Sequence, residues 1–346
     1  MYIYSYFLPQ FYPTPENDNF WGKNFTDWVS TKNAKPLYPG HSQPYKPELL
    51  GYYNLSDSKD IKKVIAYTKD INIDGLVYWH YWFGNGFKTL EKVPEYHLRH
   101  KSIDQNYCLA WANADWTKAW QGDDSEVIFK QTYSEESAIE HFEYLKHFFN
   151  DDRYIKIKGN FLLQVNHGDS LGVLKHMKIL DNLTYKKFKK RIHFVLPKDK
   201  FKIDLSGLIY DHSSFPPGEI YSPLISYKFQ KALKILGLLK RPVILSQKNY
   251  LKSFKNYIYK NPNVISCILS GWDNTPRYKN RGTVIRGDIS KLISSQIEIL
   301  KKSNSRQDIV FIKAFNEWAE GNILEPYSIR GETFDPGQRI KELKNE

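Results

Sequence analysis

The chain has 346 residues, of which 41% are hydrophobic and 25% charged, and this globular composition excludes a disordered or fibrous protein. Aromatic residues make up 16%, more than a core requires, so we expect part of this excess to line a cleft. The net charge of +12 indicates either a solvated basic surface, the preferred interpretation, or a polyanionic partner such as nucleic acid, an anionic membrane or a charged substrate.

The N-terminal residues lead directly into a strand-like pattern, YIYSYFLPQF, without the features of a secretory signal peptide. No apolar run approaches the roughly 20 residues that a membrane-spanning helix needs. Cys108 and Cys267 both lie in apolar runs, which predicts reduced core residues, not a disulfide. We therefore expect a cytoplasmic protein.

Apolar, β-branched and aromatic runs recur along the chain, with helical patterns between them. The helical patterns cover 57–70, 135–149, 171–189 and 288–302. The predicted strands, in chain order, are 3–8, 75–82, 107–112, 161–165, 192–196, 207–212, 264–272 and 309–315.

The predicted strands are apolar throughout, which is typical of parallel strands covered on both faces. Eight strands alternating with helices predict an α/β fold, a (β/α)8 TIM barrel formed by a single domain over residues 1–346. Segment 213–263 is longer than a normal connection and is predicted to elaborate the barrel. The alternative, a doubly wound sheet, would need a glycine-rich phosphate loop, and GNG at 84–86 is too short.

Aromatic and polar residues cluster just after most of the predicted strands, where a barrel places its active site. Flat aromatic faces with Asn, Asp and His between them suit sugars, whereas a phosphate ligand would favour Gly, Lys and Arg. We therefore predict that sugar is bound by Trp79, His80, Tyr81, Trp82, Trp111, Asn113, Trp116, Trp272, Asp273, Asn274, Asn316 and Trp318. Trp120 and Asp169 belong to the same clusters.

The stretch FNEWAEGNILEP, residues 315–326, places Glu317 and Glu320 three residues apart after the last strand. A helical turn brings such side chains together, and two adjacent carboxyl groups acquire unequal pKa values. One can then act as an acid and the other as a base, as glycosidic cleavage requires. The structural alternative is a helix cap or a solvated acidic pair. Glu325 is predicted to support the pair, and Trp318 to be either a wall of the site or a packing residue between the two acids.

Other chemistries have weaker signals. A metal site could use His80, His167, Asp211 and His212, but no HxH or HExxH spacing is present, and no metal or cofactor is predicted. A serine nucleophile would need a GxSxG elbow. Lys313 could form an imine, but alternation along its strand favours polar packing inside the barrel.

Several motifs, in this order, resemble those of the WbsX glycosyltransferase-like family, which is similar to glycoside hydrolase family 99, the endo-α-mannosidase type. They include LPQFYPTPENDNFWGKNFTDW, IDGLVYWHYWFG, LAWANADWTKAW, GWDNTPR and FNEWAEGNILEP. The match covers residues 1–120 and 264–328 well, whereas the middle of the chain is weaker.

The resemblance implies a (β/α)8 barrel that acts in bacterial surface polysaccharide biosynthesis, O-antigen or capsule. It implies Glu317 as the base, which deprotonates a neighbouring sugar hydroxyl, and Glu320 as the general acid. The expected substrate is an oligosaccharide or a lipid-linked glycan, with a nucleotide sugar as a further candidate and no nucleic acid. Hydrolysis and transfer both stay open, and the alternative function is a non-catalytic glycan-binding barrel in the assembly machinery.

Segment 222–241, SPLISYKFQKALKILGLLKR, combines apolar and basic residues at helical spacing. Phe229, Leu233, Leu236 and Leu239 would share one face, with lysines around the rest. One interpretation is an ordinary barrel helix with a wet side. The other is an interfacial helix on anionic lipid, which would place the protein peripherally at the inner membrane.

Overall fold

A computed structural model describes residues 1–117, 126–168, 170–201 and 203–345. Its main sheet contains parallel strands at all eight predicted positions. Their order around the sheet is β6-β5-β4-β3-β2-β1-β8-β7. The bounds are β1 Tyr2–Phe7, β2 Gly75–Gly84, β3 Asn106–Trp111, β4 Asn160–Val165, β5 Ile192–Pro197, β6 Ile209–Ser213, β7 Ser266–Leu269 and β8 Ile309–Lys313.

The two ends of this sheet meet, so that the strands form a nearly closed barrel. The amide of Ile265, just before β7, donates to the carbonyl of His212 at 2.8 Å. The amide of Ser214, just after β6, donates to the carbonyl of Ile265 at 2.9 Å. The prediction of a (β/α)8 barrel is confirmed.

The helices of the described chain surround the barrel or cross its ends. They are α1 Pro15–Trp21, α2 Asp27–Lys32, α3 Ser58–Asp70, α4 Lys92–Arg99, α5 Glu135–Phe149, α6 Leu171–Phe188, α7 Gly218–Tyr221, α8 Ile225–Ile235, α9 Gln247–Lys260, α10 Thr275–Tyr278, α11 Ile289–Lys301 and α12 Pro336–Asn345. One-turn 3₁₀ helices cover Lys198–Lys200, Lys279–Arg281 and Trp318–Glu320.

Helix α3 illustrates why these segments fold as the sequence patterns predict. The Asp57 side chain caps its first turn by accepting from the amide of Lys59. The helix buries Ile61, Val64 and Ile65 at helical spacing against the sheet, while its lysines face solvent.

Short strands outside the barrel connect its loops. They are Lys46–Pro47, Phe87–Thr89, Trp116–Thr117, Val127–Phe129, Lys156–Ile157, Val243–Ser246, Thr283–Arg286, Asn316–Glu317, Asn322–Ile323, Tyr327–Ile329 and Glu332–Phe334. Strand Val243–Ser246 pairs in parallel with Thr283–Arg286, away from the barrel. Together with α7 and α8 it forms the elaboration predicted within 213–263.

The barrel interior is aromatic near the carboxyl ends of its strands. Tyr6 stacks on Trp79, with ring centroids 5.1 Å apart, and also contacts Phe311 and Phe215. Both cysteines are buried and free, as predicted. Within the described ranges, no helix has the length and apolar character that crossing a membrane requires.

Candidate active site

The loops after β1 and β8 meet at the mouth of the barrel. The Asn316 side chain accepts from the amide of Leu8 at 2.7 Å and donates to its carbonyl at 2.9 Å. The Asp27 carboxylate, at the start of α2, accepts from the amide of Ala319 at 3.1 Å. These bonds join segments about 300 residues apart in sequence and fix the acidic loop in place.

Glu317 and Glu320 lie on a tight hairpin that follows β8. Asn316–Glu317 pairs with Asn322–Ile323, and the 3₁₀ turn Trp318–Glu320 lies between them. Residues three apart eclipse one another on a 3₁₀ turn, which brings the two carboxyl groups together. Gly321 closes the turn at φ +66°, and a Cβ there would lie 2.8 Å from the Asp273 amide nitrogen. Only glycine meets both requirements at this position.

Glu320 is held as an anion by two cationic side chains. Arg277 Nη1 lies 2.6 Å from Oε1 of Glu320, and Lys313 Nζ lies 3.5 Å from Oε2. Burial opposes ionisation of Glu320, but the charges of Lys313 and Arg277 outweigh it and lower its pKa to about 2. Arg277 also pairs with Asp27 at 3.1 Å, which fixes the guanidinium between two acids.

Glu317 is buried and has a less charged environment. Its Oε1 accepts a hydrogen bond from the Trp79 indole nitrogen at 3.0 Å. Burial, followed by the nearby charge of Glu320, raises the pKa of Glu317 to about 8. These shifts favour a protonated Glu317 and an ionised Glu320 at neutral pH.

Charge balance explains this division. Asp27, Glu317 and Glu320 would carry three negative charges against the two positive charges of Arg277 and Lys313. One bound proton restores neutrality. Burial raises the pKa of both Asp27 and Glu317, but Asp27 is ion-paired with Arg277, so the shifts favour Glu317 as the protonated group. This pattern in the free protein is opposite to the roles that the family resemblance implied, in which Glu317 is the base.

A cavity of about 260 Å³ opens beside Glu320 and Arg277. Tyr81 and Trp116 line it, with their rings stacked at 5.5 Å. A second cavity of about 790 Å³ shares Arg277 and is lined by the aromatic side chains of Trp21 and Phe25. Trp21 also contacts Trp116 across the boundary, with ring centroids 5.8 Å apart. We call these two cavities the mouth groove, which is large enough for more than one sugar ring.

Four of the predicted sugar-binding residues lie next to the acidic pair or the mouth groove. Tyr81 and Trp116 line the smaller cavity. Trp79 instead holds Glu317. Trp272 packs beneath Lys313, whose Nζ lies 5.1 Å from the ring centroid. Lys313 thus faces the barrel interior, as alternation along β8 indicated.

For His80, Trp82 and Trp111, the prediction of sugar contact is wrong because their side chains face the helices. His80 Nε2 hydrogen-bonds to His141 Nε2 at 2.9 Å. The Trp82 ring stacks on His141, and the Trp111 indole donates to the carbonyl of Trp82. All three are buried in the layer between the sheet and α5 or α6.

Two further residues that were predicted to bind sugar, Asn113 and Asn274, instead hydrogen-bond to the backbone of loops at the strand ends. The Asn113 side chain accepts from the amides of Asn166 and His167 and donates to the His167 carbonyl. The Asn274 side chain accepts from the Thr283 amide at 2.7 Å.

Asp273, Asn316 and Trp318 also support the site without lining the mouth groove. Asp273 is buried, and its carboxylate accepts from His41, Gln43 and Thr275. Asn316 and Trp318 are fully buried. The Trp318 indole donates to Glu325, which also accepts from the Tyr53 hydroxyl at 2.7 Å. The prediction of sugar contact is therefore wrong for Asp273 and Asn316, whereas Trp318 has the packing role that was the alternative prediction for it.

Arg277 and Asp27 were missed as site residues, although both lie within the quoted motifs GWDNTPR and FTDW. The position of GWDNTPR directly after a predicted strand was the signal that could have identified Arg277 as a site residue. The alternative metal residues do not converge: Asp211 pairs with His193 and Arg306, far along the sheet from His80. Trp120 and Asp169 lie outside the described residues.

Comparisons with known proteins agree with this architecture. Two curated relatives, both named uncharacterized protein WxcX and both from Xanthomonas campestris pv. campestris, are 25% and 26% identical over 336 and 343 residues. Each alignment covers 94% of this chain and 47% of the relative, so the chain spans about half the length of these relatives.

Among solved structures, the GH99 endo-alpha-mannosidase from Bacteroides thetaiotaomicron superposes with a TM-score of 0.54 at 14% identity, covering 99% of this chain and 96% of that one. A glycoside hydrolase-like protein gives 0.58 at 11% identity, covering 99% and 93%. At these identities the likeness establishes the shared barrel fold. The family model "Glycosyltransferase WbsX" matches residues 3–334, nearly the whole chain. The resemblance noted in the sequence is therefore confirmed, and the chain belongs to the WbsX glycosyltransferase family.

Proposed function

We propose that this protein is a carbohydrate-active enzyme of bacterial surface polysaccharide biosynthesis, which forms or cleaves a glycosidic bond. The observation that carries the proposal is the pair Glu317 and Glu320 on the hairpin after β8, with Glu320 lining an aromatic cavity. Burial raises the pKa of Glu317, and the charges of Lys313 and Arg277 lower that of Glu320, so the two pKa values are pushed apart. Such a pair supplies a proton donor and a proton acceptor at the same pH, as glycosidic chemistry needs.

In the proposed reaction a sugar lies in the mouth groove against the stacked rings of Tyr81 and Trp116. The bond between the anomeric carbon and the leaving oxygen breaks, and that oxygen takes the proton of Glu317. An attacking hydroxyl group forms the new bond to carbon and gives its proton to Glu320. The pKa shifts of the free protein favour these roles, which reverse those implied by the resemblance.

The attacking hydroxyl decides between hydrolysis and transfer. Water gives hydrolysis, for which the glycoside hydrolase fold of the solved neighbours is the support. A sugar hydroxyl gives transfer, which the family's name supports. We propose an oligosaccharide or a lipid-linked glycan as substrate, with a nucleotide sugar as a candidate donor, and we place the reaction in the cytoplasm.

The test is product analysis on a lipid-linked oligosaccharide, with and without nucleotide sugars, for the wild type, Glu317→Gln and Glu320→Gln. We expect both variants to lose turnover while keeping the melting temperature within a few degrees. Product that requires the nucleotide sugar would identify transfer. Equal turnover in the three proteins would overturn the catalytic assignment, and glycan binding without turnover in the wild type would identify a glycan-binding barrel.

A second measurement assigns the roles of the two acids. A glycoside with an acidic phenol as its leaving group needs little protonation, so it restores activity only when the missing residue is the general acid. We expect rescue of Glu317→Gln and none for Glu320→Gln. The reverse result would restore the roles implied by the resemblance.

A further inference from the structure

Residues 225–240, which we call the basic apolar patch, expose an unusual amount of apolar surface. The exposed fractions are 85% for Ile225, 63% for Phe229, 86% for Ile235, 68% for Leu236 and 71% for Leu238. Proteins that stay in water rarely concentrate large apolar side chains in this way, whereas interaction sites do so. The patch therefore needs a partner.

The attachment of α8 is inconsistent with an ordinary barrel helix. None of its residues is fully buried, although Tyr227 packs against the edge of the core, with its ring 4.7 Å from that of Tyr221. The helix is also held by polar bonds: Gln230 donates to the carbonyl of Ile244 at 2.8 Å and accepts from its amide at 3.0 Å. The helix also ends at Ile235, so Leu236 and Leu239 do not extend the helical face that the sequence predicted.

The charges of the chain segment that contains the patch are all of one sign. Between residues 220 and 272 the sequence has nine Lys and Arg residues and no Asp or Glu. Lys228, Lys231 and Lys240 lie exposed within the patch. Helix α9 adds exposed Lys252 and Lys255 from the same acid-free segment. Apolar side chains set among lysines match the surface of an anionic bilayer, because the apolar side chains can insert among the acyl chains and the lysines can bind the phosphates.

The patch also adjoins the mouth groove. Lys234 of α8 donates to the carbonyl of Asn280. The preceding residue, Lys279, lines the larger cavity together with Arg277, which pairs with Glu320. A surface that held α8 would therefore lie beside the entrance to the groove.

We propose that the basic apolar patch docks the protein on an anionic lipid bilayer and thereby presents the mouth groove to the glycan of a lipid-linked substrate. The identity of that substrate rests on the proposed function, whereas the docking does not. A lipid partner is favoured over a protein partner because the apolar side chains are set among lysines in a segment, 220–272, that contains no Asp or Glu. A uniformly anionic surface matches such a charge pattern at every position.

Vesicle flotation tests the docking without any assay of turnover. Vesicles of phosphatidylcholine are compared with vesicles that also contain phosphatidylglycerol, at low and high salt. We expect binding to the anionic vesicles alone, weakening as salt rises. The double variant Ile225→Glu/Phe229→Glu should lose at least about 10-fold in affinity, because it places charges in the apolar phase.

Leu171→Glu is the matched control, since Leu171 at the start of α6 is 79% exposed and lies outside the patch. The control should bind like the wild type, and circular dichroism should show all three proteins folded. Absence of wild-type binding at low salt, or equal loss in the patch and control variants, would overturn the proposal. Self-association lost only in the patch variant, without vesicle binding, would overturn it in favour of a protein interface.

The two proposals fail separately. If docking serves a lipid-linked substrate, the patch variant should keep its turnover of a soluble glycan and lose turnover of the same glycan on vesicles. Glu317→Gln should float with vesicles as the wild type does and turn over neither substrate. Full turnover of the vesicle-bound glycan by the patch variant would contradict the role in presentation.

Discussion

The two faces of strand β2 share a run of four aromatic residues but serve different purposes. Trp79 and Tyr81 face the barrel mouth, where one holds Glu317 and the other lines the mouth groove. His80 and Trp82 face α5 and pack against His141. Composition at the end of a strand is therefore a guide to where an active site lies, but the side-chain parity decides which residues reach it.

Among changes on the inner side of β2, we expect the largest loss of activity from substitutions in the acidic pair Glu317 and Glu320. Glu317→Gln should lower kcat by about 100-fold to 10,000-fold, because it removes the proton donor. Glu325→Gln is the matched control, since Glu325 is a buried acid just after the same hairpin that accepts from Trp318 and Tyr53, whereas Glu317 lies against Glu320. Steady-state kinetics on both variants measure the difference. Equal losses of kcat in the two variants would show that turnover depends on the stability of the hairpin and not on a proton donated by Glu317.

The next effect concerns the cation behind Glu320. Lys313→Met removes one of the two positive charges that lower the pKa of Glu320 to about 2. We expect that pKa to rise by at least about one unit, so the acidic limb of the kcat/KM profile should move towards neutral pH. The limb set by deprotonation of Glu317, near pH 8 in the wild type, should move less. Lys186→Met, an exposed change on α6, is the control, and an unmoved acidic limb would show that Arg277 alone holds Glu320 ionised.

Much of the fold could be predicted because each barrel strand is a continuous apolar run, which any buried parallel strand requires. The eight strand positions and the placement of the acidic hairpin followed from that pattern. The sequence could not show which residues of β2 face the barrel mouth and which face α5, because both faces of the strand are buried and neither carries a polar signal. Nor could the pairing of Arg277 with Asp27, since it joins residues 250 positions apart and depends on how two loops meet.

Substitutions on the outer face of β2, which packs against α5, should change the stability of the protein and leave its activity nearly unchanged. His80, His141 and His176 form a buried hydrogen-bonded chain. Burial lowers the pKa of His80 to about 3 and that of His176 to about 4, from an ordinary value of 6.5. Since the folded pKa lies below the unfolded one, each histidine's contribution is complete above pH 6.5 and is lost as pH falls, towards about 4 for His176 and about 3 for His80.

His176→Phe tests this outer chain. The free energy of unfolding should depend on pH less steeply than in the wild type, by about 1.4 kcal/mol per pH unit between pH 6.5 and 4. Urea titrations at several pH values measure the slope, and kcat at neutral pH should stay within about two-fold. An unchanged slope would mean that His176 takes up its proton in the folded state as easily as in the unfolded one.

The smallest effect makes the sharpest version of the comparison, because the same substitution is made in Trp82 on the outer face of β2 and in Trp116, which stacks on Tyr81 of the inner face. Trp116 and Trp82 are both buried, and each stacks on a neighbouring ring. Trp116→Phe should raise KM for the glycan by about 3-fold to 10-fold, since it narrows a stacking surface in the mouth groove. Trp82→Phe should leave KM unchanged. Both should cost about 1 kcal/mol in the free energy of unfolding, from lost burial. The two variants would then lose the same stability but differ in KM. That difference would separate a residue that lines the groove from one that only packs in the core. A rise in KM for Trp82→Phe as large as that for Trp116→Phe would mean that the packing against α5 shapes the groove, and the two faces of β2 would no longer be separable.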